Sequence, residues 1–297
     1  MFGELITAML TPFDNNGVIS TSTIAKLSKK LIQDGNDAIV LAGTTGESPN
    51  LSYEDREILY RTVKEEIGEK GKIIAGTGTY STSESIQLSK QAQDCGVDAL
   101  MVVTPYYSKP SQKGIYSHFN AISEDVDLPI IAYNIPSRTS QLIEIDTLAA
   151  LVTDTQVIAI KDAVNDIDFT KNEIQELIDN RKLDVSIYSG DDKLTLDMLK
   201  IGATGVISVA AHVVGPELRK LIDYFLSGEI DKSEEVNSQL DKFYDLIFKE
   251  PSPAPIKSIV TDSYEYVGSC KLPLVDVTEE LKLELIEEYS RIKNLNI

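Results

Sequence analysis

Eight short runs of aliphatic and β-branched residues punctuate the chain, at 5–10, 38–42, 73–76, 99–103, 130–133, 157–160, 185–188 and 204–209. Each has the length of a buried strand and is too short for a buried helix. Between them lie segments with apolar positions at helical spacing, such as Leu59, Val63 and Ile67, then Leu88, Ala92 and Cys95. Ser52-x-x-Asp55 and Ser81-x-x-Glu84 have the form of capping boxes at the expected helix starts. Gly35, Gly71, Gly96, Gly202 and Gly228 fall just past the stripes, where a left-handed residue closes a helix. Continuously apolar strands alternating with one-faced helices predict a parallel sheet covered by helices, and eight such units favour a closed (β/α)8 TIM barrel. An open doubly wound sheet is the other architecture this pattern allows.

Beyond residue 229 the strand signal stops. Two helical stripes remain, Val236-Leu240-Phe243-Ile247 and Leu281-Leu285-Tyr289-Ile292, joined by the proline-rich stretch 250–255. The pattern predicts a barrel domain over 1–228 and a C-terminal helical extension over 229–297. The extension is amphipathic with an acidic outer face, so it is expected against the barrel or a neighbouring subunit and not on a membrane.

Composition narrows the chemistry. The 297 residues carry 28 basic and 47 acidic side chains, a net charge of −19, which repels a nucleic-acid backbone. No apolar run approaches the ~20 residues needed to cross a bilayer. The first run follows Glu4, has no basic leader and enters a turn at 11–17, so it reads as a strand and not a signal. Cys95 and Cys270 stand far apart and read as buried small apolar residues of a chain in a reducing, cytoplasmic compartment. His118 and His212 lie in separate segments and read as ordinary hydrogen-bonded histidines, so neither a metal site nor a histidine base pair is expected.

In a barrel of this kind, chemistry gathers where strands end. The second run leads into Gly43-Thr44-Thr45-Gly46-Glu47-Ser48 and the fourth into Thr104-Pro105-Tyr106-Tyr107. The fifth leads into Tyr133-Asn134-Ile135-Pro136-Ser137-Arg138-Thr139, the sixth into Lys161-Asp162 and the seventh into Ser189-Gly190-Asp191-Asp192. Lys161 is either a lysine reaching out from a strand end or a desolvated amine able to attack a carbonyl. Tyr133 and Tyr107 either pack the mouth or pass protons through Thr44. Arg138 either pairs with a surface acid or clamps a carboxylate. Gly43-Thr44-Thr45-Gly46 lacks the Walker lysine and the dinucleotide glycine spacing, and suits a carboxylate better than a phosphate.

Taken in order, with Gly205-Val206-Ile207-Ser208-Val209, these motifs resemble the dihydrodipicolinate synthases, in the pyruvate-dependent aldolase family that also includes N-acetylneuraminate lyase. The likeness runs end to end. It implies that Lys161 forms an iminium with pyruvate, whose enamine attacks the aldehyde of L-aspartate 4-semialdehyde, the first committed step toward diaminopimelate and lysine, with no cofactor. It implies Tyr133 as proton shuttle, linked through Thr44 to Tyr107 of a partner subunit. It places Thr45 and the Ile207 backbone at pyruvate, Arg138 on the semialdehyde carboxylate and Gly190 on the second-substrate side, in a homotetramer of two tight dimers.

The chain departs from the family at Asp162, where Glu is usual, and at His212, where Asn is common. Of the residues matching the family's lysine-feedback site, Ser48, Glu84 and Tyr106 are retained. Tyr53, Arg56 and Tyr80 replace histidines and an asparagine, so weak or absent inhibition by lysine is expected. An aldolase for a sugar-like aldehyde and a non-catalytic keto-acid binder are the competing readings. Arg138 argues against the first, and the complete set of Lys161, Tyr133, Thr44, Tyr107 and Arg138 against the second.

Overall fold

In a computed structural model that describes residues 2–295, eight strands alternate with helices. The first half runs β1 (Leu5–Ala8), α1 (Thr21–Gln33), β2 (Ala38–Leu41), α2 (Tyr53–Ile67), β3 (Lys72–Gly76), α3 (Thr82–Asp94), β4 (Ala99–Val103) and α4 (Gln112–Asp125). The second runs β5 (Ile130–Asn134), α5 (Pro136–Thr139), α6 (Ile145–Asp154), β6 (Val157–Asp162), α7 (Ile167–Ile174), β7 (Ser186–Ser189), α8 (Thr195–Lys200) and β8 (Gly205–Ser208). Helices α9 (Ala211–Leu226), α10 (Ile230–Ile247), α11 (Ala254–Ser263) and α12 (Glu279–Asn294) complete it. The strands close in sequence order into a (β/α)8 barrel, and the helices beyond α9 are the expected extension. The open-sheet alternative is thereby excluded.

The chain forms two compact units, Met1–Lys72 with Ser208–Ile297, and Ile73–Ile207. In the first, β1 and β2 pair in parallel through Ile6↔Ala38, Thr7↔Ile39 and Ala8↔Val40, every residue of both strands buried. His212 clips this unit together: its Nε2 accepts from the Leu10 N–H at 3.0 Å and its Nδ1 donates to the Val209 carbonyl at 2.8 Å. That pattern requires a neutral ring, and burial pulls its pKa down to about 4. The α10 stripe is buried as predicted. On α12, Leu281, Leu285 and Ile292 are buried while Tyr289 is partly exposed, and Glu288 is buried in its stead, paired with the exposed Lys242 and Arg291.

Between these two helices the sequence predicts only a linker, yet α11 starts inside the proline-rich stretch. A proline in the first helical turn loses no hydrogen bond, so Pro255 begins a helix instead of ending one. Gly71 also differs from expectation. Its φ is −158°, and the left-handed residue closing α2 is Gly68 at φ +54°. Gly71 is small for another reason, because a Cβ there would run into Ile32 Cδ1. Cys95 is buried, but Cys270 is partly exposed, its thiol pushed up to about 11 mainly by partial burial.

In the second unit the pairings β4–β5, β5–β6 and β6–β7 are all parallel. Ser81 and Ser111 cap α3 and α4 by accepting from the Glu84 and Gly114 N–H groups, as N-cap hydroxyls do. His118 on α4 bonds Thr82 through Nδ1 at 2.9 Å. Among the described residues, no helix is long and apolar enough to cross a membrane.

Candidate active site

Strand register sets the surroundings of Lys161. In the second unit Tyr133 of β5, Lys161 of β6 and Tyr188 of β7 are Cα partners across adjacent parallel strands. Registered neighbours in a sheet point to the same face, so the three side chains form one row. All three are buried, Lys161 and Tyr133 to 5% exposure. The Lys161 Nζ stands 4.4 Å from the centroid of the Tyr133 ring.

Burial sets the protonation of both groups. Desolvation pulls the Lys161 ammonium from 10.5 down to about 8; Asp192 and Asp191 oppose that fall, and Arg138 adds to it. By the titration curve, roughly a quarter of such amines are neutral at pH 7.5, against roughly a thousandth at the ordinary lysine value. The Tyr133 phenol is pushed the other way, to about 12, by its own burial, with Arg138 opposing and Asp191 assisting. It therefore keeps its proton and remains both donor and acceptor.

Gly190 makes room for the amine. Its N–H donates to the Asp162 carbonyl at 2.6 Å, drawing the end of β7 against β6. A Cβ at Gly190 would lie 2.7 Å from the Ala163 Cβ and 3.1 Å from the Lys161 Cε. No side chain fits there without shifting Ala163 and the strand end beside the lysine.

Arg138 lies exposed on α5, whose turn is started by Pro136 and closed by Thr139 Oγ1 donating to the Ile135 carbonyl at 3.0 Å. The loop beyond it is held by Asn134, whose side-chain amide exchanges two hydrogen bonds with the Ile143 backbone. Tyr107, after β4, is 91% exposed with φ +69°. Its neighbour Tyr106 meets Tyr80 edge to face at 5.6 Å. Glu84 is in the first turn of α3, and Ile207 is buried in β8. The second unit thus gathers Lys161, Tyr133, Arg138 and Gly190, while Tyr107 stands out in solvent on the single chain.

Thr44, Thr45 and Ser48 belong to the first unit, in the segment after β2. Thr44 is exposed and Thr45 is buried. Ser48 is engaged by Arg56, whose Nη2 donates to its carbonyl at 2.9 Å and its hydroxyl at 2.8 Å.

Sequence reading leaves three features unassigned. Asp192 is 1% exposed and exerts the largest opposing charge on Lys161; two adjacent acids directly after a strand-end glycine were the available signal. Tyr188 is visible only once the register is known. On the opposite face of β6, Asp162 accepts from the Val164 N–H at 2.8 Å and from the Thr170 hydroxyl, with the fully buried Glu173 beside it. Burial and the adjacent Asp162 charge hold the Glu173 carboxyl well above the usual range, which favours its protonated form. Among the described residues no group of three His, Cys, Asp or Glu side chains is placed to hold a metal ion.

Comparison with known proteins identifies the family. The chain is 41% identical over 283 residues to 4-hydroxy-tetrahydrodipicolinate synthase 1 of Halalkalibacterium halodurans, covering 95% of both chains. The crystal structure of a dihydrodipicolinate synthase from Bacillus anthracis superposes with a TM-score of 0.94 at 43% identity, covering 98% of each chain. A monomeric dihydrodipicolinate synthase variant superposes at 0.93 with 35% identity, covering 97% of each. The profile of the dihydrodipicolinate synthetase family matches residues 1–291, and the chain belongs to that family.

Proposed function

We propose that this chain condenses pyruvate with L-aspartate 4-semialdehyde through a Schiff base on Lys161, giving 4-hydroxy-tetrahydrodipicolinate on the route to diaminopimelate and lysine. The observation that carries this reading is the Lys161 amine, buried beside the Tyr133 ring with its pKa lowered to about 8. A neutral amine adds to the pyruvate ketone, and loss of water leaves a protonated imine. That cation withdraws electrons from the methyl group, so a weak base removes a proton and an enamine forms. The enamine carbon attacks the semialdehyde aldehyde, forming the new C–C bond. The substrate's own amine then attacks the imine carbon, closing the ring and releasing Lys161.

Tyr133 is the proton shuttle in this reading, with Thr44 as the relay hydroxyl and Tyr107 supplied by a partner subunit. The exposure of Tyr107 on the single chain supports a donated role. Thr45 and the Ile207 backbone bind pyruvate, Arg138 the semialdehyde carboxylate, and Gly190 borders the second-substrate side. The catalytic domain is 1–228 and the extension 229–297. We take the protein to act in the cytoplasm as a homotetramer of tight dimers. Inhibition by lysine is weak or absent, because Arg56 already occupies Ser48; an inhibition curve with half-effect at sub-millimolar lysine would contradict this.

Turnover of pyruvate with the semialdehyde, compared with pyruvate and a sugar aldehyde, tests the assignment; preference for the sugar aldehyde would overturn it. Arg138→Ala is expected to raise the semialdehyde KM or lower kcat by about tenfold or more, the scale of a lost charge-assisted carboxylate contact. The pyruvate adduct should still form, and its parallel loss would contradict the assigned role.

A further inference from the structure

The segment 43–46 in the first unit is bracketed by two non-glycine residues in the left-handed region, Ala42 at φ +52° and Glu47 at φ +54°. Such conformations persist only where the surroundings over-determine them. Inside the segment the backbone folds on itself: the Gly46 and Ser48 N–H groups donate to the Gly43 carbonyl at 3.1 and 3.2 Å, and the Glu47 N–H to the Thr44 carbonyl at 3.1 Å. Thr11 Oγ1 holds the Gly46 carbonyl at 2.7 Å. A Cβ on Gly46 would lie 3.2 Å from the Ala42 nitrogen, the Met9 oxygen and Thr11 Oγ1, so the segment is seated against β1 with no slack.

What fixes Glu47 comes from far along the chain. Its carboxylate is fully enclosed, with Oε1 accepting from Lys257 Nζ of α11 at 2.6 Å and Oε2 from the Lys271 N–H at 2.7 Å. Lys257 is itself 2% exposed, and it also donates to the Ser269 carbonyl at 3.1 Å. Both Lys257 and Lys271 stand over the Phe13 ring, at 4.6 and 4.2 Å from its centroid. The Phe13 N–H donates to the Val267 carbonyl at 3.0 Å, and Gly268, at φ +78°, passes so close that a Cβ would sit 2.5 Å from the Phe13 oxygen. The acid that ends the threonine segment is thus held by a buried cation and a backbone amide of the extension.

We infer that Lys257 is a positioning residue: through its buried ion pair with Glu47 it sets the placement of Thr44 and Thr45, and so couples the helical extension to pyruvate binding. This rests on the pyruvate-binding and relay roles given to Thr45 and Thr44 above. Removing the ammonium leaves an unpaired buried carboxylate and frees Glu47 from the left-handed conformation that the Thr44 carbonyl contact requires.

The test compares wild type with Lys257→Met and Lys257→Arg, each normalised by titrating active sites as the borohydride-reduced pyruvate adduct. A merely structural role reduces the number of titratable sites but leaves the surviving sites with the wild-type KM. The positioning role raises the pyruvate KM, and the pyruvate concentration for half-maximal trapping, by about tenfold in Lys257→Met, with Lys257→Arg recovering most of the loss. Should Lys257→Met fail to fold, Glu47→Gln keeps the shape while turning one of the two acceptor oxygens into an NH2 donor, so that one contact is lost, and about a threefold rise in KM is expected. Values within twofold of wild type in the folded Met variant, or an unmoved KM in Glu47→Gln, would overturn the inference. Absence of any adduct in wild type would instead defeat the Schiff-base reading, a result separable from this one.

Discussion

Lys161 is buried, and that desolvation, which outweighs the opposing charge of Asp192, both destabilises its ammonium and makes its amine available. The unfolded chain takes up this proton near 10.5, the folded one only near 8, so the burial penalty is present in full below about pH 8 and is relieved as pH rises toward 10.5. Two outcomes follow for one side chain. The rate of adduct formation with pyruvate, followed by rapid borohydride quench, should climb with pH through about 8 and level off. Lys161→Met should lose the adduct entirely yet melt at the same or a higher temperature at pH 7, because an apolar side chain carries no such penalty. A flat rate profile between pH 7 and 9, or a markedly less stable Met variant, would contradict the account. The lysine itself was legible in the sequence, since an apolar run leads straight into it. That Asp191 and Asp192 temper it and that Tyr188 stands beside it was not, because lateral neighbours across a parallel sheet come from strands ~25 residues or more apart and only register brings them together.

At the level of elements, the setting of Lys161 depends on how closely two strand ends approach. The Gly190 N–H bond to the Asp162 carbonyl and the empty Cβ position facing Ala163 Cβ are parts of the same close contact. Gly190→Ala is expected to push apart the strand ends that hold the lysine and slow adduct formation by about tenfold or more, on the scale of an overpacked contact costing about 1–3 kcal/mol. Trapping at the wild-type rate would show that the side chain yields freely. The eight strands were readable to within one or two residues because a parallel sheet buried on both faces writes an uninterrupted apolar run. Helix α11 was not readable, since prolines signal a break and a first helical turn alike. Gly71 was misassigned because a glycine kept for lack of space looks, in sequence, like one kept for its φ.

For the whole molecule, the question is whether one chain holds a complete site. Tyr107 faces solvent here, and the relay assigned to it calls for a second copy. Mixing Lys161→Ala subunits with Tyr107→Phe subunits should regain activity that neither has alone, because the intact lysine of one then meets the intact phenol of the other. No recovery in proven mixed oligomers would return Tyr107 to its own chain or remove it from the mechanism. The barrel and its extension were legible as successive patterns along the chain, whereas their interdependence was not. The compact unit holding α10, α11 and α12 also contains β1 and β2, and the contact between Glu47 and Lys257 spans 210 positions. The most direct measurement is borohydride reduction in the presence of pyruvate followed by peptide mass mapping. One reduced pyruvate per chain, on the peptide that carries Lys161, is the expected result; an unmodified Lys161 peptide, or the adduct on another lysine, would contradict the mechanism.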